Sequence, residues 1–177
     1  METFTLNSNL RTLSDWVILI VGAFVRYPDK LEVSGTDTQV SVKGHRADHG
    51  KLIGKGCKNL DAIKCLLCEI ADYPVSVTVL EPSVGQREAP DPFTPDLHWN
   101  KKKDDALKDL LRVIASGALK TCTVTSYTAQ SQERGDETKF VVTSKNMTPE
   151  IEASLYTIFR AIGNCRGRKV SVEGRNS

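Results

Sequence analysis

The sequence predicts an α+β protein built from two similar units, and three observations carry this prediction. Apolar residues switch repeatedly from the three- and four-residue spacing of helices to the alternation of strands. The order of these segments is αββααβ in the first half and αββαβ in the second. Four of the seven prolines lie between Pro82 and Pro95. We therefore expect units at 10–82 and 101–174, joined by a semi-rigid, proline-rich linker at 83–100.

The first half begins with a helix and continues with two short strands. The apolar face of the helix consists of Leu13, Trp16, Val17, Ile20, Val21 and Phe24. Tyr27-Pro28-Asp29 ends this helix, because proline cannot continue it. Alternating apolar residues at 31–33 and 40–42 then predict two strands, with a turn at Gly35-Thr36-Asp37 between them.

The remainder of the first half predicts two helices and a final strand. A short helix is expected from Ala47 to about Ile53, followed by a glycine-rich turn. The second helix presents an apolar face made of Leu60, Ile63, Leu66, Leu67 and Ile70. Tyr73-Pro74 interrupts that helix, and valines alternating over 75–79 predict the last strand.

The second half repeats much of this order. Its first helix is marked by Leu107, Leu110, Leu111, Ile114 and Ala118. We expect that helix to end near Gly117. Two strands, at Val124 and at 140–142, flank a polar loop from Gln130 to Glu137.

The last helix of the second half has recognisable end signals. Thr148 is expected to cap its N-terminus, with Pro149 at the first helical position. Its apolar face consists of Ile151, Leu155, Ile158, Phe159 and Ile162. Gly163 is placed to terminate it, and alternation at 170–172 predicts the final strand.

The two halves differ in the connection that follows the second strand. From Val42 to Asn59 the chain advances 17 residues, whereas from Val142 to Thr148 it advances only 6. The second half therefore lacks the short helix and the glycine-rich turn. We interpret it as a decayed duplicate of the first.

The stretch from His49 to Ile63, HGKLIGKGCKNLDAI, contains the most specific signal in the chain. Its glycines would allow a nucleic-acid backbone to approach main-chain N–H groups without interference from a Cβ atom. The helix that starts at this turn would direct its positive end toward phosphates. Lys51, Lys55 and Lys58 add positive charge around the turn. A P-loop is excluded, because no strand leads directly into a Gly-x-x-x-x-Gly-Lys-Ser/Thr sequence.

Two segments of the first half carry a family resemblance. They are Tyr27-Pro28-Asp29 followed by Leu31-Glu32-Val33, and Lys51-Leu52-Ile53-Gly54-Lys55-Gly56. With these residues, the stretch from about 12 to 81 resembles the KH family of RNA-binding domains. Within that family it is most similar to the small bacterial proteins of the KhpA type.

The family pattern at the turn is Gly-x-x-Gly, preceded by an apolar residue. Gly54 matches the first glycine, Ile53 the apolar residue, and Lys55 with Gly56 the variable pair. Cys57 stands where the last glycine is expected. A side chain at that position would narrow the approach of the RNA backbone, so we expect weakened or altered binding.

The resemblance implies a type II KH-like αββααβ domain followed by a degenerate KH-like αββαβ domain. It also implies that the turn clamps the backbone of about four nucleotides of single-stranded RNA. The RNA-binding residues are then expected to be Lys51, Ile53, Gly54, Lys55, Gly56, Cys57 and Lys58, together with Arg46 and His49. Arg46 and His49 either line the groove or are solvated polar ends of their elements. The expected protein has no catalytic activity and no cofactor.

Three expectations about variants follow from this interpretation. Changing Gly54 and Lys55 to Asp is expected to abolish RNA binding without disturbing the core. Changing Cys57 to Gly is expected to tighten binding but to cost about 0.5–1 kcal/mol of stability, because glycine adds unfolded-state entropy. A fragment ending near Ser83 is expected to fold alone, although the sequence leaves open how the two halves pack.

Bulk charge does not support nucleic-acid binding, since the net charge is only +2. That charge and Cys57 favour an alternative, in which the chain is a KH-like protein-assembly module that has lost RNA binding. Its partner would then be a second copy of the chain or another protein. A second group of cations, Arg160, Arg166, Arg168 and Lys169, either extends a basic track or forms a solvated helix end, and we favour the latter.

The cysteines and the apolar runs bear on location. The five cysteines have no framework spacing, and Cys65 with Cys68 lacks a second pair to complete a metal site. We interpret both as small buried hydrophobic residues. The longest apolar run, Trp16–Val25, has 10 residues, well below the roughly 20 that a membrane span needs. Without an export signal at residues 1–9, the sequence predicts a cytoplasmic protein that is not attached to a membrane.

Overall fold

The computed structural model describes residues 12–82, 101–129 and 137–177. The predicted linker at 83–100 lies outside the described residues, as does the predicted polar loop except for Glu137. In chain order the helices and strands are α1 (Leu13–Gly22), β1 (Glu32–Gly35), β2 (Gln39–Lys43), α2 (Arg46–Ile53), α3 (Lys58–Ala71), β3 (Ser76–Val79), α4 (Lys101–Leu119), β4 (Thr123–Ala129), β5 (Glu137–Thr143), α5 (Pro149–Cys165) and β6 (Lys169–Arg175). Short 3-10 turns occupy Pro28–Lys30 and Lys55–Cys57. The predicted orders αββααβ and αββαβ are confirmed over these residues.

Each half contains a mixed sheet of three strands with the same topology. In the first sheet, β1 pairs antiparallel with β2, and β2 pairs parallel with β3. In the second, β4 pairs antiparallel with β5, and β5 pairs parallel with β6. The parallel pairs require crossovers, which α2 and α3 supply in the first half and α5 alone in the second. The predicted α+β class is confirmed.

Side-chain caps fix the starts of α1 and α5. Thr12 and Asp15 form a reciprocal capping box at α1: the Thr12 hydroxyl accepts from the Asp15 N–H at 3.2 Å. Thr148 caps α5 as predicted, its hydroxyl accepting from the Ile151 N–H at 3.2 Å, and Pro149 occupies the first turn. A cap of this kind stabilises a helix by about 1 kcal/mol.

The predicted end of α4 near Gly117 is correct to within two residues, whereas the predicted termination of α5 at Gly163 is wrong. α4 continues to Leu119 and α5 to Cys165, so both glycines lie inside their helices. A Cβ at Gly117 would stand 2.6 Å from the Trp16 ring, and one at Gly163 would stand 2.6 Å from the Arg168 carbonyl oxygen. These glycines permit close packing of neighbouring elements, and they do not terminate helices.

The two halves share one hydrophobic core, which answers the question of packing that the sequence leaves open. The most extensive helix–helix contact among the described residues joins α3 to α5. The core draws its largest fully buried side chains from both halves: Phe24, Ile20, Leu52, Ile63, Leu66, Leu67, Leu107, Leu111, Ile114, Leu119, Phe140 and Phe159. The halves therefore pack helix layer against helix layer.

Polar contacts reinforce the packing between the halves. The Lys120 ammonium donates to the carbonyls of Glu69 and Ile70 at 3.3 and 3.2 Å, at the C-terminal end of α3. It also lies 3.1 Å from the Asp72 carboxylate. The Cys165 thiol donates to the Phe24 carbonyl at 2.8 Å. Each contact joins residues that are distant in sequence.

Cys65 and Cys68 are only half-buried, so their interpretation as buried hydrophobic residues is too strong, although both make contacts within the fold. The Cys68 sulfur accepts from the Val75 N–H at 3.2 Å, and the Cys65 thiol lies 3.8 Å from the Glu150 carbonyl in α5. All five cysteines are free thiols. Within residues 12–82, 101–129 and 137–177, no helix combines the length and apolar character that crossing a membrane requires.

Candidate nucleic-acid interface

The turn between α2 and α3 has an unusual backbone. Gly54 has φ 74° and ψ 168°, Gly56 has φ 62° and ψ 37°, and Cys57 has φ 62° and ψ 11°. The conformation of Gly54 is open essentially only to glycine, and that of Gly56 is left-handed. Three of the four residues at 54–57 therefore have left-handed or glycine-type backbone conformations. Lys55, Gly56 and Cys57 are exposed.

Gly54 cannot accept a side chain. A Cβ atom there would stand 2.7 Å from the Asn59 Cγ and 2.9 Å from the Asn59 backbone nitrogen. The expectation that Gly54 could become Asp without disturbing the fold is therefore wrong. Gly56, by contrast, has no neighbour within 4 Å of an added Cβ.

Cys57 adopts a left-handed backbone conformation that favours glycine. Its left-handed φ of 62° costs a non-glycine residue on the order of 1–2 kcal/mol. Glycine would adopt the same conformation without this strain, and its greater unfolded-state entropy would offset only about 0.5–1 kcal/mol of the gain. From this backbone conformation we now expect Cys57→Gly to stabilise the fold, whereas the sequence alone predicts a loss of stability.

Three hydrogen bonds hold the turn. The Gly54 N–H donates to the Gly50 carbonyl at 2.9 Å, and the Cys57 N–H donates to the Gly54 carbonyl at 3.2 Å. The Asn59 side-chain amide donates to the Lys51 carbonyl at 2.7 Å. Asn59 is not among the residues that the sequence predicts for the turn. The available signal was a short polar side chain one residue beyond the start of α3, within reach of the end of α2.

The turn presents positive charge at the start of α3. Lys55 and Lys58 are exposed. Cys57 precedes the helix and makes no side-chain hydrogen bond to cap it, so no side chain of the cap residue occupies the first-turn N–H groups. Lys51 is less available, because its ammonium lies 3.8 Å from a carboxylate oxygen of the buried Asp48.

Asp48 and His45 anchor α2 to the segment that follows α1. The Asp48 carboxylate is fully buried and accepts from the N–H groups of Arg26 and Tyr27 at 2.9 and 3.0 Å. The His45 Nδ1 accepts from the Ala47 N–H at 3.2 Å and so caps α2. The imidazole packs on the Tyr27 ring with a centroid separation of 4.2 Å. These contacts fix α2, and hence the turn, against the segment that contains Arg26 and Tyr27.

The predicted RNA-binding residues do not all lie at the turn. Residues 51–58 lie together at the turn. Arg46 is exposed at the first position of α2, about 10 Å along the helix axis from its last residue. His49 is half-buried, with Nε2 4.0 Å from the exposed Glu81 carboxylate. The turn thus gathers most of the predicted residues, whereas Arg46 lies at the far end of α2.

The corresponding connection in the second half, between β5 and α5, is short, and its side chains donate hydrogen bonds to the end of α4 and the residues after it. The Ser144 hydroxyl donates to the Thr121 carbonyl at 2.7 Å. The Asn146 amide donates to the Leu119 carbonyl at 3.2 Å. Between β5 and α5 no residue has positive φ. Lys145 and Asn146 are exposed in this connection, but it lacks the left-handed and glycine-type backbone of the first-half turn.

The second-half cations serve local contacts. The Arg168 Nε donates to the Thr138 hydroxyl at 3.2 Å, and that hydroxyl donates to the Asp104 carboxylate at 2.9 Å. The Arg160 guanidinium lies 5.9 Å from the centre of the Tyr156 ring. These contacts favour a structural role for the cluster over a basic track.

The sequence matches no protein-family model and no curated protein. Among the described residues, no group of three or more His, Cys, Asp and Glu side chains could hold a metal ion. The geometry of the turn, together with its resemblance to the KH pattern, therefore provides the basis for a functional proposal.

Proposed function

We propose that the protein is a non-catalytic, KH-like binder of single-stranded RNA, whose turn at 54–57 receives the RNA backbone. The observation that carries this proposal is the exposed turn of left-handed and glycine-type residues at the start of α3. It occurs in an αββααβ unit with a mixed β1-β2-β3 sheet. Both features are expected for a type II KH domain.

The chemistry of the turn suits a phosphate group. The first turn of α3 supplies N–H groups that have no intrahelical acceptor, together with the positive end of the helix dipole. Lys55 and Lys58 add two exposed cations, and Lys51 adds a third that is partly neutralised by Asp48. Gly56 leaves the approach open on one side, because nothing lies within 4 Å of its Cβ position.

These contacts predict binding of modest strength with a defined dependence on salt. Neutralising about three phosphates of a single strand gives a slope of log affinity against log salt near −2. Raising the salt from about 50 to about 200 mM should then weaken binding by roughly 16-fold. The measurement is fluorescence anisotropy of a labelled single-stranded RNA titrated with the whole chain.

The decisive variant is the double change of Lys55 and Lys58 to Asp. An acidic residue in the first turn of α3 suits the helix dipole, so the fold should hold while the phosphate is repelled. The matched control changes Lys30 and Lys145, two exposed lysines outside the turn, to Asp, which alters the net charge equally. We expect loss of RNA binding in the first variant and affinity within about twofold of wild type in the control. Equal affinities in the two variants, or binding that ignores salt, would refute the proposal.

A protein-assembly module that has lost RNA binding is the second candidate. The net charge of +2 and the Cys57 side chain in the turn favour it. Sedimentation of the wild-type chain separates the candidates: self-association without salt-dependent RNA binding would establish assembly. In either case the free thiols favour a reducing compartment, and we propose the cytoplasm.

A further inference from the structure

We infer that Asn59 is the positioning residue of the turn, holding it in the shape that receives the RNA backbone. This inference rests on the proposed function, because it assigns the residue that shapes the same site. Asn59 touches no ligand in this scheme. It acts through the backbone of the turn, from the second position of α3.

The hydrogen bond of Asn59 ties the two helices together across the turn. Its amide donates to the Lys51 carbonyl at 2.7 Å, the shortest of the three bonds that hold the turn. Lys51 belongs to the last turn of α2, where carbonyl groups lack intrahelical partners. The side chain therefore satisfies the end of α2 and fixes its distance from the start of α3.

The body of the side chain has a second effect, which is steric. Asn59 Cγ and Cβ would stand 2.7 and 3.0 Å from a Cβ at Gly54, so the backbone of Gly54 lies directly against them. Asn59 thus supports the turn on the inner side, while Lys55, Gly56 and Cys57 face solvent. The strained φ of Cys57 needs such support, because an unsupported turn would relax to a conformation that the cysteine prefers.

The chain offers a matched control for this residue. Asn146 in the second half also donates its side-chain amide to a carbonyl at the end of a preceding helix, that of Leu119, at 3.2 Å. Changing Asn59 or Asn146 to Ala removes the same kind of bond, but only Asn59 adjoins the glycine-rich turn. A general loss of stability would therefore appear in both variants.

The experiment compares Asn59→Ala with Asn146→Ala in the full chain by three measurements. These are thermal unfolding, RNA affinity at two salt concentrations, and amide hydrogen exchange at residues 55–58. We expect both variants to remain folded. Only Asn59→Ala should weaken RNA binding, by about fivefold, the factor that loss of one ordinary hydrogen bond gives. Its salt slope should match wild type, because the phosphate contacts themselves remain, and exchange at 55–58 should accelerate.

Asn59→Ser keeps a donor on a shorter side chain and serves as the milder variant if Asn59→Ala does not fold. It should give a smaller change of the same sign. Unchanged exchange at 55–58 in these variants would overturn the inference, as would equal RNA affinities for Asn59→Ala and Asn146→Ala. If wild type itself does not bind RNA, the proposed function fails, but the exchange measurement still decides whether Asn59 holds the turn.

Discussion

The two halves have the same sheet topology but differ in what connects their parallel strands. In the first half, β2 leads through α2, the exposed turn and α3 to β3; in the second, β5 leads through α5 alone to β6. The second half shows that a sheet of this topology forms with a single crossover helix. The sheet of the first half therefore does not itself require α2 and the turn, which supports a functional reason for their presence.

The largest expected effect comes from separating the halves. A fragment of residues 12–82 would expose the face of α3 that packs on α5 in the shared core. Burial of apolar surface contributes about 25 cal/mol per Å², so loss of a helix–helix interface costs several kcal/mol. We now expect the fragment to lose cooperative unfolding or to self-associate, contrary to the expectation from the sequence. Chemical denaturation would reveal this, and a midpoint equal to that of the whole chain would mean that the halves are independent.

Substitution of glycines inside helices has the next largest expected effect on stability, and it allows a glycine of the second half to be compared with one of the first. Gly163→Ala in α5 should destabilise by about 1–3 kcal/mol, because its Cβ meets the Arg168 carbonyl oxygen at 2.6 Å. Gly50→Ala in α2 meets nothing within 4 Å and should stabilise by about 0.4–1 kcal/mol. Thermal unfolding of both variants measures the difference. If both variants change stability in the same direction, helix propensity and not packing determines the effect of these substitutions.

The Cys57 variant tests how far the turn of the first half keeps its glycine geometry. Cys57→Gly should raise stability by about 0.5–1 kcal/mol, since relief of the left-handed strain exceeds the added unfolded-state entropy. It should also tighten RNA binding by up to about fivefold, because the side chain no longer narrows the approach. Cys57→Ala is the control: it keeps the Cβ and the strain, so its stability should stay near that of wild type. A thiol adduct on Cys57 should weaken RNA binding.

The sequence predicted what depends on local pattern. Apolar periodicity located the helices and strands of the described residues other than α2, and Thr148 with Pro149 marked the start of α5 correctly. It mistook Gly163 for a helix end and did not predict the packing of Gly117, because these depend on Arg168 and Trp16, whose approach only the tertiary structure reveals.

The candidate site was predicted in the same uneven way. The position of the turn could be predicted, since glycines between two helices favour a turn, and its lysines could be predicted because they flank those glycines. The bond from Asn59 to Lys51 and the pairing of Lys51 with Asp48 could not, because both depend on how α2 is oriented. The conformation of Cys57 was also hidden, since cysteine rarely adopts positive φ.

The smallest expected effect is a change in the pH dependence of stability, and it concerns Cys65, which lies at the contact between the halves. Burial raises the pKa of the Cys65 thiol, with a smaller opposing effect from its hydrogen bond to Ser154 in α5. Since the thiol ionises more readily in the unfolded chain, its contribution to stability is present at neutral pH. It is lost as the pH rises from the ordinary thiol pKa through the raised value. Cys65→Ser removes this titration, so its stability should fall less steeply than that of wild type between about pH 8 and 10. Because the thiol is only half-buried, we expect a small difference, detectable by denaturation at several pH values. Parallel pH profiles would show that folding does not raise the pKa of the Cys65 thiol.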